Sequence, residues 1–300
     1  MIKDLLKRVL SIFFLPIKYF LRALCWLSHS KERFTENNDS EYEEYNEVVT
    51  VDVYKPRLVK PGKRLTILHP ILKGSNSVAR IMANYFAIFH RRPCAIVHRG
   101  KYPFDGQTPD GFSAKLEAYI YNYYLMEKAL RDNEYMNDDT HVVSIGTSMG
   151  GIVNMMLATY DRYDRYISLI AGAPIVSVMK DSTISDFDDW YNKQVKIHEM
   201  DINDVHDWYL ESVKLDPIYK YKYIAPSKFY AITAFFDWVV PYKYQRSMVD
   251  KIGAQRNVIF PVGHYTIALV FPLVLLILSS WILTSTRTER INYVYDKIYR

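Results

Sequence analysis

The sequence has only two cysteines in 300 residues, Cys25 and Cys94. Cys94 begins the apolar stretch 94–97, which is typical of a buried strand, and Cys25 lies in an N-terminal apolar region, so we expect no disulfide between them. The chain also lacks a cysteine cluster with the spacing of a metal site. We therefore predict that the protein uses neither a metal ion nor a cofactor.

One group of polar residues invites a metal-site interpretation, because four potential ligands occur close together in the sequence: His198, Asp201, Asp204 and His206. Their spacing suits no familiar metal site, and they lie in a charged, helix-prone stretch. We interpret them as a solvated helix face.

Basic runs interleaved with aromatic residues are absent as well. The formal net charge is +5, from 38 Lys and Arg against 33 Asp and Glu. This excess is modest, and much of it can be placed in the N-terminal region. It favours an anionic surface as a partner but gives no indication of nucleic-acid binding.

The composition that remains is that of a folded domain. Hydrophobic residues make up 49% of the chain and charged residues 24%. Such a chain can bury a substantial core, and it is too charged for a polytopic membrane protein. We expect one large domain with attachments at its ends.

The first 29 residues are apolar but interrupted by cations. As an α-helix, they would place most of their polar side chains within an arc of about 140°, namely Lys3, Asp4, Lys7, Arg8, Ser11, Lys18 and Arg22. No small-residue cleavage site follows, so a cleaved signal peptide is not expected. We predict a basic amphipathic helix in a membrane interface over 1–29, with a helix packed on the domain as the alternative. The polar, acidic segment 30–47 is predicted to be a linker.

From about Val48 onward, strands alternate with helices. Predicted strands cover 48–54, 64–68, 95–98, 141–145, 166–171, 228–235 and 257–260, and predicted helices cover 78–89, 112–130, 152–160 and 242–252. This alternation indicates βαβ units and a mostly parallel sheet, buried on both faces, within a domain over 48–300.

The alternation lapses between about 178 and 226, where the chain is aromatic, charged and helix-prone. An insertion at this point would lie over the carboxyl ends of the strands, where open α/β sheets bind ligands. We therefore predict a helical cap over the active site.

The segment Gly146-Thr147-Ser148-Met149-Gly150 fits the pattern G-x-S-x-G between a predicted strand and an apolar helix. A serine on so sharp a turn needs glycines on both sides, because a Cβ at either position would strike the neighbouring helix or strand. The turn pushes the serine Oγ out of the sheet, and the following helix offers free N–H groups to a developing oxyanion. The alternative is a glycine-rich turn made only for close packing.

This motif resembles the nucleophile elbow of the α/β-hydrolase superfamily, whose serine hydrolases include esterases, lipases and thioesterases. The resemblance extends in element order over roughly Val48 to Leu269. It implies the α/β-hydrolase fold, with a mostly parallel central sheet, helices on both faces and a helical cap insertion.

In this superfamily the acid and the histidine follow the serine in that order. Asp237 begins a D-x-x-V-P sequence after the predicted strand 228–235, and His264 follows Gly263 after the predicted strand 257–260. The resemblance therefore implies that these two residues are the partners of the serine.

The chemistry agrees with these assignments. A serine hydroxyl is a poor nucleophile at neutral pH and needs an imidazole base, which a carboxylate orients. We predict Ser148 as the nucleophile, His264 as the general base and Asp237 as the orienting acid. Asp181 and Asp216 are weaker candidates for the acid.

The resemblance also implies an oxyanion hole made of two backbone N–H groups. The first should be that of Met149, directly after the nucleophile. The second should come from a loop in which similar enzymes carry His-Gly-x, whereas this chain reads His69-Pro70-Ile71. Because proline has no N–H, we predict Ile71 as the donor, with Leu72 as the alternative. His69 itself is expected to have a structural role.

No charged residue occurs from Tyr265 to Thr284. This run is close to the length that spans a bilayer, but His264 must stay in the active site, so a span would have to begin at once. We predict an apolar C-terminal helix over 265–284 that contacts a membrane. A true span and a fully buried helix kinked at Pro272 both remain open.

Together, these features predict a membrane-associated serine hydrolase that cleaves a carboxylic ester or related acyl bond of a lipophilic substrate through an acyl-serine intermediate. The expected partners are a small-molecule or lipid acyl substrate and a membrane surface, on the cytoplasmic side because no clear export signal is found. Thioesterase and peptidase chemistry remain open, and a non-catalytic lipid- or protein-binding module is the rival from another class. The oligomeric state is not predicted.

Overall fold

A computed structural model of the chain describes residues 29–37, 48–56, 63–71, 77–98 and 108–283. Within them, eight strands form one sheet in the order β1-β2-β4-β3-β5-β6-β7-β8. The strands are β1 (His29–Asn37), β2 (Val48–Pro56), β3 (Arg64–His69), β4 (Cys94–His98), β5 (His141–Thr147), β6 (Arg165–Leu169), β7 (Phe229–Ala234) and β8 (Arg256–Phe260). β2 pairs antiparallel with β1 and β4, and the other neighbours pair in parallel. The prediction of a mostly parallel sheet is confirmed.

Among the described residues, helices pack on both faces of this sheet, and further helices form the segment between β6 and β7. They are α1 (Ser77–Phe89), α2 (Pro109–Asp132), α3 (Met149–Ala158), α4 (Ile175–Asp181), α5 (Ser185–His198), α6 (Ile202–Ser212), α7 (Pro217–Lys220), α8 (Tyr242–Ile252) and α9 (271–283). A 3₁₀ turn at Thr266–Val270 leads into α9.

The side chains of the strands alternate between two apolar layers. In β5, Val142 packs into the layer that includes side chains of α2, α3 and α8. Its neighbours Val143 and Ile145 pack into the opposite layer, with side chains of α1 and α9. Burial on both faces explains why the central strands read as continuous apolar runs.

The prediction of a linker over 30–47 is wrong for residues 30–37, which belong to β1. This strand lies at the edge of the sheet, where a charged sequence is tolerated because none of the other described strands pairs with its outer side. Lys31 and Arg33 both form ion pairs at 2.7 Å with Asp52 of β2, whose side chain is buried. The sheet therefore begins before Val48. Residues 38–47 and the amphipathic helix predicted for 1–29 lie outside the described residues, apart from His29, which begins β1.

The segment between β6 and β7 is helical, as predicted, and contains α4 to α7. It packs on the loop after β7, where the Thr183 N–H donates to the Trp238 carbonyl at 3.0 Å. It also packs on α2, because the Trp190 and Phe112 rings lie 6.1 Å apart. The role of this insertion as a cap stays a prediction.

The apolar C-terminal segment lies along the sheet. By length and composition, Thr266–Leu283 could cross a membrane, and 39% of it is buried. The buried side packs on the sheet and α1, and the Ser279 hydroxyl bonds to Tyr85 at 3.0 Å and His90 at 2.8 Å. Its other side is exposed, so this segment is neither a fully buried helix nor detached from the domain.

Candidate active site

Ser148 lies on a strained turn between β5 and α3. Its φ of 54° and ψ of −122° fall in a region that side chains other than glycine rarely adopt. The residue is buried, and its carbonyl accepts from Gly151 N at 2.8 Å. Such strain persists only where the surrounding structure enforces it, and it is concentrated at functional sites.

The two glycines of the motif are required by close backbone contacts. A Cβ on Gly146 would lie 2.1 Å from the Gly150 carbonyl oxygen, inside the turn itself. A Cβ on Gly150 would lie 2.3 Å from the His69 carbonyl oxygen, in the loop after β3. The second contact shows that this loop packs directly against the start of α3. It therefore places the backbone after His69 beside the nucleophile turn.

Asp237 and His264 are joined by a hydrogen bond. Asp237 follows β7, and its Oδ1 accepts from the N–H groups of Val239 and Val240, each at 2.9 Å. Its Oδ2 lies 2.8 Å from Nδ1 of His264, which follows β8. Both side chains are largely buried. An imidazole held through Nδ1–H has Nε2 free to accept a proton.

Gln245 is a part of this site that the sequence-based reasoning missed. Its side chain is completely buried on α8, and its Nε2 donates to Asp237 Oδ2 at 3.0 Å and to the Val240 carbonyl at 2.6 Å. Its Oε1 accepts from Ala234 N at 3.0 Å. Gln245 therefore fixes the carboxylate oxygen that faces His264.

A signal for this residue does exist in the sequence. Gln245 shares the buried face of α8 with Met248, Val249 and Ile252 at helical spacing. A polar residue on an otherwise apolar helix face needs a buried partner, and a nearby Asp237 is a natural one.

The sheet brings the predicted nucleophile, acid and base to the end at which its parallel strands terminate. They follow β5, β7 and β8, which run parallel, so all three lie at the carboxyl ends of their strands. Asp237 and His264 are in contact, whereas no hydrogen bond joins Ser148 to His264 among the described residues. Catalytic hydrogen bonds of unliganded enzymes are often long and tighten when substrate binds.

The alternative acids take part in other interactions. Asp181 lies 2.6 Å from Lys243 Nζ and accepts from the Tyr244 hydroxyl at 2.7 Å. Asp216 is buried and accepts from the backbone N–H of Ile218 at 2.9 Å and of Ile175. Burial raises the pKa of Asp216 to about 6. Neither carboxylate bonds to His264.

The predicted oxyanion donors lie where the backbone can meet the nucleophile. Met149 is the first residue of α3, and Ile71 follows the Pro70 carbonyl that lies against Gly150. Leu72 is outside the described residues. The assignment of Met149 and Ile71 as donors stays a prediction.

His69 is completely buried under this loop, where its Nε2 lies 2.6 Å from Ser144 Oγ and its ring packs on Tyr123 at 4.6 Å. These contacts are those of a structural residue, as expected.

The polar group at 198–206 is spread over α5 and α6. Asp201 caps α6 by accepting from Asn203 N and Asp204 N, His198 packs its ring against Trp208, and His206 bonds to Ser177 at 2.9 Å. Within the described part of the chain, no three His, Cys, Asp or Glu residues are placed to hold a metal ion.

Similarity to known proteins agrees with this geometry. Residues 122–260 match the prolyl oligopeptidase family, Peptidase S9. This match contains Ser148 and Asp237 and ends before His264. No curated protein sequence matches the chain.

Solved structures with a similar fold include two esterases and a peptidase. Esterase B from Lactobacillus rhamnosis is 12% identical with a TM-score of 0.59, over 98% of this chain and 99% of that one. Acetyl xylan esterase 1 from Thermoanaerobacterium sp. is 12% identical with a TM-score of 0.58, over 82% and 87%. The acylaminoacyl peptidase of Pyrococcus horikoshii is 17% identical with a TM-score of 0.57, over 80% of this chain and only 38% of the peptidase.

The chain has the α/β-hydrolase fold, and the predicted resemblance to this superfamily is confirmed. The family match and these neighbours support a serine hydrolase of the esterase or peptidase type.

Proposed function

We propose that the protein is a membrane-associated serine hydrolase that cleaves a carboxylic ester of a lipophilic substrate. The single observation that carries this proposal is the 2.8 Å hydrogen bond between Asp237 and His264 at the sheet edge that also holds Ser148. A buried carboxylate on imidazole Nδ1, beside a serine on a strained turn, is the arrangement that activates a serine nucleophile.

In the proposed reaction, Ser148 Oγ attacks the ester carbonyl while His264 Nε2 takes the hydroxyl proton. Asp237 keeps the imidazole in the required tautomer and stabilises its charged form. The N–H groups of Met149 and Ile71 stabilise the oxyanion. The alkoxide leaves as an alcohol with the proton from His264. A water molecule then gives a proton to His264 and attacks the acyl-serine carbonyl. The carboxylic acid is released, and Ser148 Oγ regains its proton from His264.

A lipophilic substrate is favoured by the surroundings of the site. Phe235, Phe236 and Trp238 flank Asp237 in the chain, Tyr265 follows His264, and more than half of each of these side chains is exposed. Exposed apolar groups around a catalytic centre favour a substrate or surface of the same character. The basic amphipathic character of residues 1–29 supports association with a membrane.

Peptidase chemistry is the second candidate, because the prolyl oligopeptidase family matches the chain. The same three residues would cleave an amide through the same intermediate, with an amine as the leaving group. A thioester substrate would also give the same intermediate, and a non-catalytic binding module would form none.

The test is covalent labelling of the detergent-solubilised protein by a fluorophosphonate probe. We expect the wild type to be labelled and Ser148→Ala not. The matched control is Ser177→Ala, since Ser177 also contacts a histidine, His206, at 2.9 Å, but among the described residues it forms no hydrogen bond with Asp237 or His264. Labelling of Ser177→Ala should equal that of the wild type. If the folded wild type is not labelled, the result would contradict the proposed hydrolase and favour a non-catalytic binding module.

A further inference from the structure

The outward side of the C-terminal segment carries leucines where a water-exposed helix normally carries charged residues. Leu269, Leu273 and Leu276 are 56%, 49% and 61% exposed. Leu273 and Leu276 are three residues apart and so lie on one side of α9, opposite the side that is buried on the sheet, and Leu269 lies in the 3₁₀ turn that leads into α9. These three leucines are called the leucine face below.

An exposed aromatic group continues this face toward the active site. It consists of Phe235, Phe236, Trp238 and Tyr265 and is called the aromatic rim; Trp238 is 70% exposed. The Phe236 N–H donates to the Val262 carbonyl at 3.0 Å, which holds the loop of the rim beside the start of the C-terminal segment. The Tyr265 ring lies 5.6 Å from that of His264 and one turn before Leu269. The apolar surface therefore runs from the mouth of the site along the helix.

The chemistry of this surface fits lipid better than protein. Leucine is under-represented among the residues that dominate protein interfaces, whereas aliphatic side chains beside Trp and Tyr are typical of the boundary between acyl chains and headgroups. No Asp, Glu, Lys or Arg occurs from Asn257 to Thr286, and arginines stand on both sides, at Arg256 and at Arg287. Arg256 begins β8 and is exposed, so its guanidinium can pair with an anionic headgroup.

We propose that the leucine face and the aromatic rim dock on a lipid bilayer, with the leucines among the acyl chains and the rim at the level of the headgroups. The mouth of the active site then opens at the membrane, and a lipid ester reaches Ser148 without crossing bulk water. This last point rests on the proposed function, whereas docking depends on the surface alone.

The first test places an environment-sensitive nitrobenzoxadiazole probe on the surface of the full chain, at Leu276→Cys with Cys25→Ser. Cys94 should not react, because it is completely buried and burial raises the pKa of its thiol to about 12. The matched control carries the probe at Ile202→Cys, an exposed apolar position on α6. Vesicles of phosphatidylcholine and phosphatidylglycerol in equal parts provide the membrane.

With vesicles, the probe at position 276 should shift to the blue, brighten and be quenched by nitroxide-labelled acyl chains, while the probe at position 202 should not change. An unchanged probe at 276 on a vesicle-bound chain would overturn the proposal, since another segment would then be the anchor. A probe that is already shielded without vesicles would overturn it too, because the chain or a second copy would cover the face.

The second test combines Leu273→Glu with Leu276→Glu and compares this pair with Ile197→Glu plus Ile202→Glu on α5 and α6. Two carboxylates in the acyl region should lower vesicle binding at least about tenfold, and the control pair should not. Hydrolysis of a soluble short-chain ester should stay within about twofold of wild type for both pairs, since neither touches the site. If the wild type lacks this esterase activity, the proposed function is wrong. The docking proposal is tested separately by vesicle binding, and equal binding by the leucine pair and the control pair would contradict it.

Discussion

At the scale of single residues, Gln245 offers a test of how the acid is held. Gln245→Ala removes one of the two side-chain donors to Asp237 Oδ2. A hydrogen bond to a charged group contributes about 1.5–3 kcal/mol, which corresponds to about 10- to 150-fold in kcat if it is lost from the transition state. KM should change little, because Gln245 is completely buried on α8, behind Asp237. Steady-state kinetics on a soluble ester measure both constants.

The control is Met248→Ala, on the same buried face of α8. It should lower stability without lowering the kcat of the folded enzyme. Gln245→Glu adds a readout that a purely structural residue would not move. Its carboxylate repels Asp237, so its activity relative to wild type should rise as the pH falls and the new side chain becomes protonated. Equal kcat losses for Gln245→Ala and Met248→Ala would contradict a positioning role.

Sequence alone pointed to Ser148, Asp237 and His264 because each one follows a strand and carries a local motif. The hydrogen bond between Asp237 and His264 agrees with that order. Gln245 carries no motif, because its role depends on the distance across a helix and a loop. The oxyanion donors are also poorly defined by sequence, because nearly every residue type has a backbone N–H and the residue type therefore does not identify the donor.

At the scale of secondary-structure elements, Asp216 links α7 to α4 and should make the stability of the insertion depend on pH. Burial raises its pKa from an ordinary 3.8 to about 6. Between these values the folded chain keeps a proton that the unfolded chain has released, so the free energy of unfolding falls as the pH rises. This difference in pKa between the folded and the unfolded chain corresponds to about 3 kcal/mol in the free energy of unfolding.

Asp216→Asn should remove this part of the pH dependence, although it also loses one acceptor for the N–H groups of Ile175 and Ile218. Urea unfolding of both proteins between about pH 4 and pH 7 measures the difference. We expect the variant to be less stable at the acidic end and the two curves to converge as the pH rises. Parallel curves would show that Asp216 does not titrate in this window.

The elements themselves were largely predictable, because their apolar periodicity is strong. The helix predicted over 242–252 has those bounds in the structure. β1 was missed for a physical reason: its charged side chains are satisfied across the sheet by Asp52 of β2, so its sequence lacks the alternation of a half-buried strand. Pairing of this kind depends on residues in another element, which a local pattern does not report.

At the scale of the whole molecule, the alternation of strands and helices predicted a mostly parallel sheet, but it did not predict the order of the strands. The antiparallel position of β2 between β1 and β4 arises from contacts between distant segments. The same limit applies to the surface. The sequence of the C-terminal segment is apolar on all sides and does not show which side is exposed. The structure packs one side on the sheet and leaves the leucine face exposed.

The aromatic rim adjoins the site, with the Tyr265 ring 5.6 Å from that of His264, and this arrangement predicts a preference among substrates. If the rim guides a lipophilic acyl group to Ser148, kcat/KM for p-nitrophenyl esters should rise from the acetyl to the octanoyl ester. Each methylene that leaves water contributes at most about 0.8 kcal/mol, or about fourfold. Anilides of the same acids should react far more slowly.

The series is measured below the concentration at which each ester aggregates. A preference for the acetyl ester would contradict a lipophilic pocket, and comparable rates for anilides would favour the peptidase alternative.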